Sequence, residues 1–186
     1  MSESADLEAR LERVEALLAS NQTRRRRLED IEAIKRLKYR YFRAIDLKQW
    51  ADLAECFAED ATTSYHDSRY EQQGVDEIMA FIQKGLARYE FFGFHHGHNP
   101  EIEITGDASA SGVWALHNYM LDTARNRGLL IAAYYHDEYV KVDGQWKIRS
   151  TGYKRIFEEA WDRSDLPTLE LVANIFASAT ESTEGP

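Results

Sequence analysis

GLLIAAYYHDEYVKVDGQWKIRSTGYKRIF, residues 128–157, decides the fold. Two long runs rich in Val, Ile, Tyr and Trp flank Asp143-Gly144, the dipeptide that most favours a tight hairpin, so the stretch reads as two paired antiparallel strands. Upstream, SGVWALHNYML (111–121) and EIEIT (101–105) have the same composition, so the chain reads as consecutive strands from Pro100 onward. These runs exceed the ~6-residue mode of ordinary strands, which predicts a strongly curved sheet.

Before Pro100 the apolar period is helical. Val75, Ile78, Phe81, Ile82 and Leu86 mark one amphipathic helix, preceded by a strand in ATTSYHD (61–67) and a short helix in QWADLAECFAED (49–60). Ile31, Ile34, Leu37, Tyr41 and Ile45 give a helix from Leu28 through Ala44, and Asp46 ends its pattern. At the N-terminus, Leu7, Leu11, Val14 and Leu18 form a narrow stripe over about two heptads. That stripe predicts an arm packed on its own domain or on a neighbouring subunit, and not an extended coiled coil. Helices followed by strands give an α+β class: N-terminal helices packed on a strongly curved antiparallel sheet that forms a cone-shaped pocket. The expected organisation is a helical arm over 1–27, one domain over 28–176 ending in a helix over 165–176, and a polar, disordered tail over 177–186.

Length and composition narrow the function. A chain of 186 residues suits one domain with its own core, and ten tyrosines, eight phenylalanines and four tryptophans give its interior an aromatic lining fit for a flat organic molecule. A net charge of -9 opposes binding to nucleic acid or an anionic membrane. The basic run Arg24 to Arg27 is flanked by Glu29, Asp30 and Glu32 and reads as a solvated helix face. Cys56 is the only cysteine, so no internal disulfide or Cys-x-x-Cys metal site is available. Charges interrupt the N-terminal segment and no apolar run reaches the ~18 residues of a membrane span, so a soluble, cytoplasmic protein is expected. No phosphate-binding glycine loop or dinucleotide fingerprint occurs, so no cofactor is expected.

FFGFHHGHNPEI, residues 91–102, holds three of the six histidines. As metal ligands, His96-x-His98 with Glu101 would resemble a cupin site, but only Asn99 and Pro100 intervene before the Glu and the helical first half does not suit a cupin. No metal is expected. For His96 and His98 the favoured reading is a polar turn ahead of a strand, with Pro100 holding Asn99 extended. One histidine could instead enter the pocket as a general base, provided a distant carboxylate fixes its tautomer. Asp46 is the candidate, because it closes an apolar helix face where an unpaired carboxylate is costly to bury. Tyr41 and Asp46 are five positions apart, about 140° around a helix, so both reach one pocket only if the helix stops near Asp46.

IEAIKRLKYRYFRAID, TTSY, HHGHNPEI, YVKVDGQWKI and STGYKRIFEE together resemble the nuclear transport factor 2-like, or SnoaL-like, superfamily, and most closely its bile acid 7α-dehydratases. The resemblance covers roughly Ile31 to Glu159. DGQWKI and the early Tyr with a nearby Asp point to the fold, whereas HHGHNPEI with TGYKRIFEE is more specific. The resemblance implies catalytic roles for Tyr41, Asp46, His95 and Arg155, with Tyr65 lining the pocket. It also places Asn118 where those dehydratases carry a second pocket aspartate, and an amide supplies neither charge nor base. Arg155 either stabilises negative charge or pairs with Glu158 and braces the pocket. Trp114, Tyr119, Tyr134 and Tyr135 serve either as substrate walls or as sheet core. The implied activity is cofactor-independent elimination of water from a hydroxylated steroid-like or polycyclic ketone by a homo-oligomer, trimer favoured and dimer possible. The alternatives are a non-enzymatic small-molecule-binding or scaffold protein of the same fold, or a related isomerase, cyclase or dehydrohalogenase.

Overall fold

The computed structural model describes residues 3–65 and 68–177 of the chain. Helix α1 spans Glu3–Asp46, α2 Trp50–Ala54 and α3 Val75–Leu86; the strands are β1 Phe57–Tyr65, β2 Tyr70–Gln73, β3 Phe91–Gly106, β4 Ser109–Asp122, β5 Arg127–Val142 and β6 Gln145–Asp162. The strands form one curved sheet in the order β2-β1-β6-β5-β4-β3, open at both edges, with the helices packed on it in an α+β arrangement. Four long antiparallel strands follow one another as their composition predicts, and Asp143-Gly144 turns β5 into β6 with both residues at positive φ. One pairing is not antiparallel. β1 lies parallel to β6, with Thr63 opposite Thr151, which makes the sheet mixed. A parallel neighbour needs a long crossover, here supplied by all the chain between the two strands.

Three local expectations change. The arm and the 28–44 helix are one continuous helix, and the arm does not pack on its own domain: every residue from Asp6 to Glu29 is exposed. The helix expected over 49–60 ends at Ala54, because Phe57, Ala58 and Ala61 are buried as part of β1. Over 165–176 the chain makes a 3-10 turn, Arg163–Asp165, and then irregular structure in place of a helix. Leu169, Leu171, Val172 and Ile175 stay exposed, and an apolar period without a surface to cover does not hold a helix. Of the tail expected over 177–186, residues 178–186 lie outside those described.

Helix and sheet meet through a buried polar knot. Lys38 of α1 is fully buried, and its Nζ lies 2.8 Å from Asp137 Oδ2 of β5. Tyr139 donates to the same oxygen at 2.7 Å, Thr151 donates to Oδ1 at 2.6 Å, and Trp114 donates to the Tyr139 hydroxyl at 2.9 Å. The Lys38 ammonium also sits 3.9 Å from the centre of the Tyr135 ring. Burial pulls the Lys38 amine below its usual range, against the opposing pull of Asp137. Removing either charge would strand the other, which is why this contact fixes how α1 sits on the sheet. Trp114 and Tyr135 are thus core, filling the inside of the curve. Tyr119 and Tyr134 face outward and are exposed, so neither walls a pocket.

Candidate active site

Asp46 is the last residue of α1, where a carboxylate is disfavoured by the helix dipole. The chain then turns sharply. Gln49 N–H bonds the Ala44 carbonyl at 2.8 Å and Lys48 N–H bonds that of Ile45 at 3.2 Å, with Lys48 in the left-handed region at φ 55°. The Lys48 ammonium crosses to the carbonyls of Leu86 and Phe91 at 2.5 and 2.9 Å, which ties the helix end to the start of β3.

The histidine cluster is not a turn: all three residues lie within β3, the edge strand of the sheet. Strand alternation sends successive side chains to opposite faces. His95 faces α1, whereas His96 stacks at 6.1 Å on His117 of β4, with His98 5.7 Å away and Phe94 against it. Asn99 adopts φ 46° and Pro100 follows within a bulge between His98 and Glu101. Among the described residues, no group of three His, Cys, Asp or Glu side chains converges as a metal site would.

Asp46 grips His95 at two points. Oδ2 accepts the His95 backbone N–H at 3.0 Å and Oδ1 lies 2.6 Å from the ring Nδ1. An ionised carboxylate can only accept, so Nδ1 carries the proton and Nε2 presents a lone pair. Asn118, directly opposite on β4, places its Nδ2 2.9 Å from that Nε2 and donates to it. The amide oxygen, Oδ1, is buried and has no hydrogen-bond partner among the described residues. The pair is nearly enclosed, with 10% of the His95 side chain and 9% of Asp46 exposed. The Phe42 ring lies parallel to the imidazole, 12° between planes, in a space that Gly97 keeps open: a Cβ there would stand 2.2 Å from Phe42 Cε2.

Tyr41 and Tyr65 form a second group, their hydroxyls 3.1 Å apart, joined to the first through the Phe42 ring that touches both Tyr41 and His95. Burial pushes both phenols up, so each remains a protonated donor near neutral pH. Arg155 lies on β6 with Nη1 2.8 Å from Glu158, the pairing expected of a bracing residue. The structure therefore brings Asp46, His95 and Asn118 into direct contact, buries Tyr41 with Tyr65 in the core on the far side of the Phe42 ring, and holds Arg155 on Glu158. A cavity of about 730 Å³ reaches Asp46 and His95 between the end of α1, β3 and the C-terminal segment, with Phe92, Ile175 and Phe176 in its walls. Phe176 was not expected in the site. Its ring rests on Tyr89 and Phe92, contacts that leave no periodic trace in the sequence.

A curved sheet sheltering a carboxylate-oriented histidine defines a small α+β domain with the parts of an acid–base site. The chain belongs to the SnoaL-like domain family, whose pattern matches residues 26–152. An uncharacterized protein of Mycobacterium tuberculosis is 25% identical over 126 residues, 65% of this chain and 82% of that protein. Among solved structures, a scytalone dehydratase-like protein from Novosphingobium aromaticivorans is 24% identical with a TM-score of 0.66, covering 71% of this chain and 87% of that one. A hexachlorocyclohexane dehydrochlorinase from Novosphingobium barchaimii is 20% identical with a TM-score of 0.68, covering 80% and 97%. At these identities the structural likeness establishes a shared fold. Among the described residues no helix is long and apolar enough to cross a membrane.

Proposed function

We propose that the protein is a cofactor-independent hydro-lyase that removes water from a hydroxylated steroid-like or polycyclic ketone. The observation that carries this reading is the two-point grip of Asp46 on His95, which leaves Nε2 unprotonated on a histidine that helps line a cavity. His95 Nε2 takes a proton from the carbon next to the carbonyl, and Asp46 stabilises the imidazolium that forms. The electron pair moves onto the carbonyl oxygen and returns to expel the hydroxyl group. That group leaves with the proton from Nε2, so the products are a conjugated alkene, water and the starting form of the enzyme. The resemblance to the dehydratases supports Tyr41, with Tyr65 behind it, as donor to the developing oxyanion, a role that requires its buried hydroxyl to be reached past the Phe42 ring. Asn118 gives up its bond to Nε2 as substrate enters and orients the substrate in place of a second carboxylate. Arg155 braces β6 through Glu158.

The substrate class rests on the likeness to bile acid 7α-dehydratases, as does operation as a homo-oligomer, a trimer in preference to a dimer. The test is incubation with a panel of hydroxylated 3-oxo steroids and smaller hydroxy-ketones, with formation of a conjugated alkene followed in the ultraviolet. His95→Ala should lower the rate at least about 100-fold with the fold intact. A near-normal rate in that variant, or a panel without turnover, removes the support for this reading.

A further inference from the structure

We propose that the exposed first half of α1 is a self-association surface, on which each arm pairs side by side, parallel and in register, with the arm of a second copy of this chain. Leu7, Leu11, Val14, Leu18 and Leu28 are 51% to 66% exposed, on a helix segment whose every residue from Asp6 to Glu29 is exposed. Helices in water owe most of their stability to burying an apolar face, so 24 exposed residues from Asp6 to Glu29 call for a partner. Burial against the sheet starts at Asp30, whose carboxylate receives Lys141 at 2.6 Å and Trp146 at 2.9 Å.

The spacing fits a coiled-coil seam. Steps of four, three and four join Leu7, Leu11, Val14 and Leu18, and the same rhythm runs through Asn21 and Arg25 to Leu28. The seam spans roughly 32 Å at 1.5 Å per residue. Two polar interruptions are accommodated. Asn21 can hydrogen-bond its own copy across the seam, and the long Arg25 side chain reaches out to the edge, where it lies 3.3 Å from one oxygen of Glu29 and leaves the other oxygen available.

Charge selects the partner and its direction. Arg10 and Glu15 flank the seam on opposite sides, as do Arg24 and Glu29. Members of each pair are five residues apart, too far around one helix to meet, since neighbours lie three or four apart. In a parallel, in-register pair each Arg faces the Glu of the other helix. An antiparallel pair would set Arg against Arg and Glu against Glu. The surface is therefore complementary to itself in one orientation, and a parallel seam suits twofold and threefold assemblies alike.

Cross-linking of the full chain tests this apart from the proposed reaction, because no residue involved belongs to the site. Leu7→Cys should form a disulfide-linked dimer under mild oxidation, and Ala16→Cys, on the opposite side of the helix, should do so at least about tenfold more slowly, since only the seam raises the local concentration. Cys56 is buried and stays silent. Arg10→Glu and Glu15→Arg should each slow cross-linking of Leu7→Cys, and the two together should restore it. Equal rates at positions 7 and 16, as expected if the exposed sheet face around Phe94 and Tyr134 joins the copies, would overturn the proposal. So would failure of the double charge reversal to rescue.

Discussion

Replacing Asp46 with Asn changes one atom and leaves the shape intact, yet it inverts the proton pattern of the site. The carboxylate accepts twice, from the His95 backbone N–H at 3.0 Å and from Nδ1–H at 2.6 Å. An amide has one accepting oxygen. If that oxygen keeps the backbone N–H, its NH₂ group faces Nδ1, which must then be the unprotonated nitrogen, and the proton moves to Nε2. Asn118 can satisfy this wrong tautomer by turning its partnerless Oδ1 toward Nε2. The variant therefore stays folded with every bond remade, but the nitrogen facing the substrate no longer takes a proton. Loss of a correctly oriented base is worth about 10² to 10⁴ in rate. The middle of that range corresponds to about 4 kcal/mol of barrier. Stability should fall by only about 1 kcal/mol, the difference between a charge-assisted and a neutral hydrogen bond. Steady-state alkene formation should show a fall in kcat with KM held, while nitrogen chemical shifts report the change of tautomer. A rate within about tenfold of the parent would refute the role given to this carboxylate.

Gly97→Ala should lower stability by about 1–3 kcal/mol, because its Cβ meets a buried Phe42 ring; an unchanged thermal midpoint would contradict the packing. Lys38→Met should cost about 3–5 kcal/mol in chemical denaturation, because Asp137 is left buried without its counter-charge. For Asp122, burial tends to raise the carboxyl pKa, but bonds from Arg88 at 2.9 Å and Arg125 at 3.0 Å outweigh it and hold the value below the usual range. A depressed folded pKa contributes stability that is present above the unfolded value, about 3.9, and is lost as pH falls through the folded one. Asp122→Asn should thus be less stable than the parent at pH 7, with the gap closing below about pH 4 in acid titration.

The pairing of Asp46 with a histidine was legible because Asp46 closes an apolar helix face, and the family resemblance singled out His95 from the three. The strand around His95 was harder to read. Pro100 looks like a boundary, yet β3 is an edge strand whose outer side needs no ladder partner, so a proline within a bulge does not end it. The buried Lys38–Asp137 pair did leave a signal that the hydrophobic reading passed over. Lys38 lies four after Ile34 and three before Tyr41, inside the apolar stripe, and Asp137 falls between the inward-facing Tyr135 and Tyr139. The C-terminal segment misleads for the opposite reason, since its leucines have helical spacing but nothing to lean on. Periodicity reports which faces are apolar, and only tertiary contact decides whether an element forms behind them.

Two adjacent histidines pose a problem of addressing, because a strand displaced by one residue would still offer an imidazole to Asp46. The glycines on either side of the inward position resolve it. A Cβ at Gly93 would stand 2.7 Å from Met120 Cγ, and one at Gly97 would strike Phe42. Sliding β3 by one place would bring His96 inward with Phe94 and His98 in those two gaps, where neither side chain fits. The imidazole that faces the carboxylate is thus chosen by the absence of side chains beside it: the pattern Gly-x-His-x-Gly works as a key cut for one register.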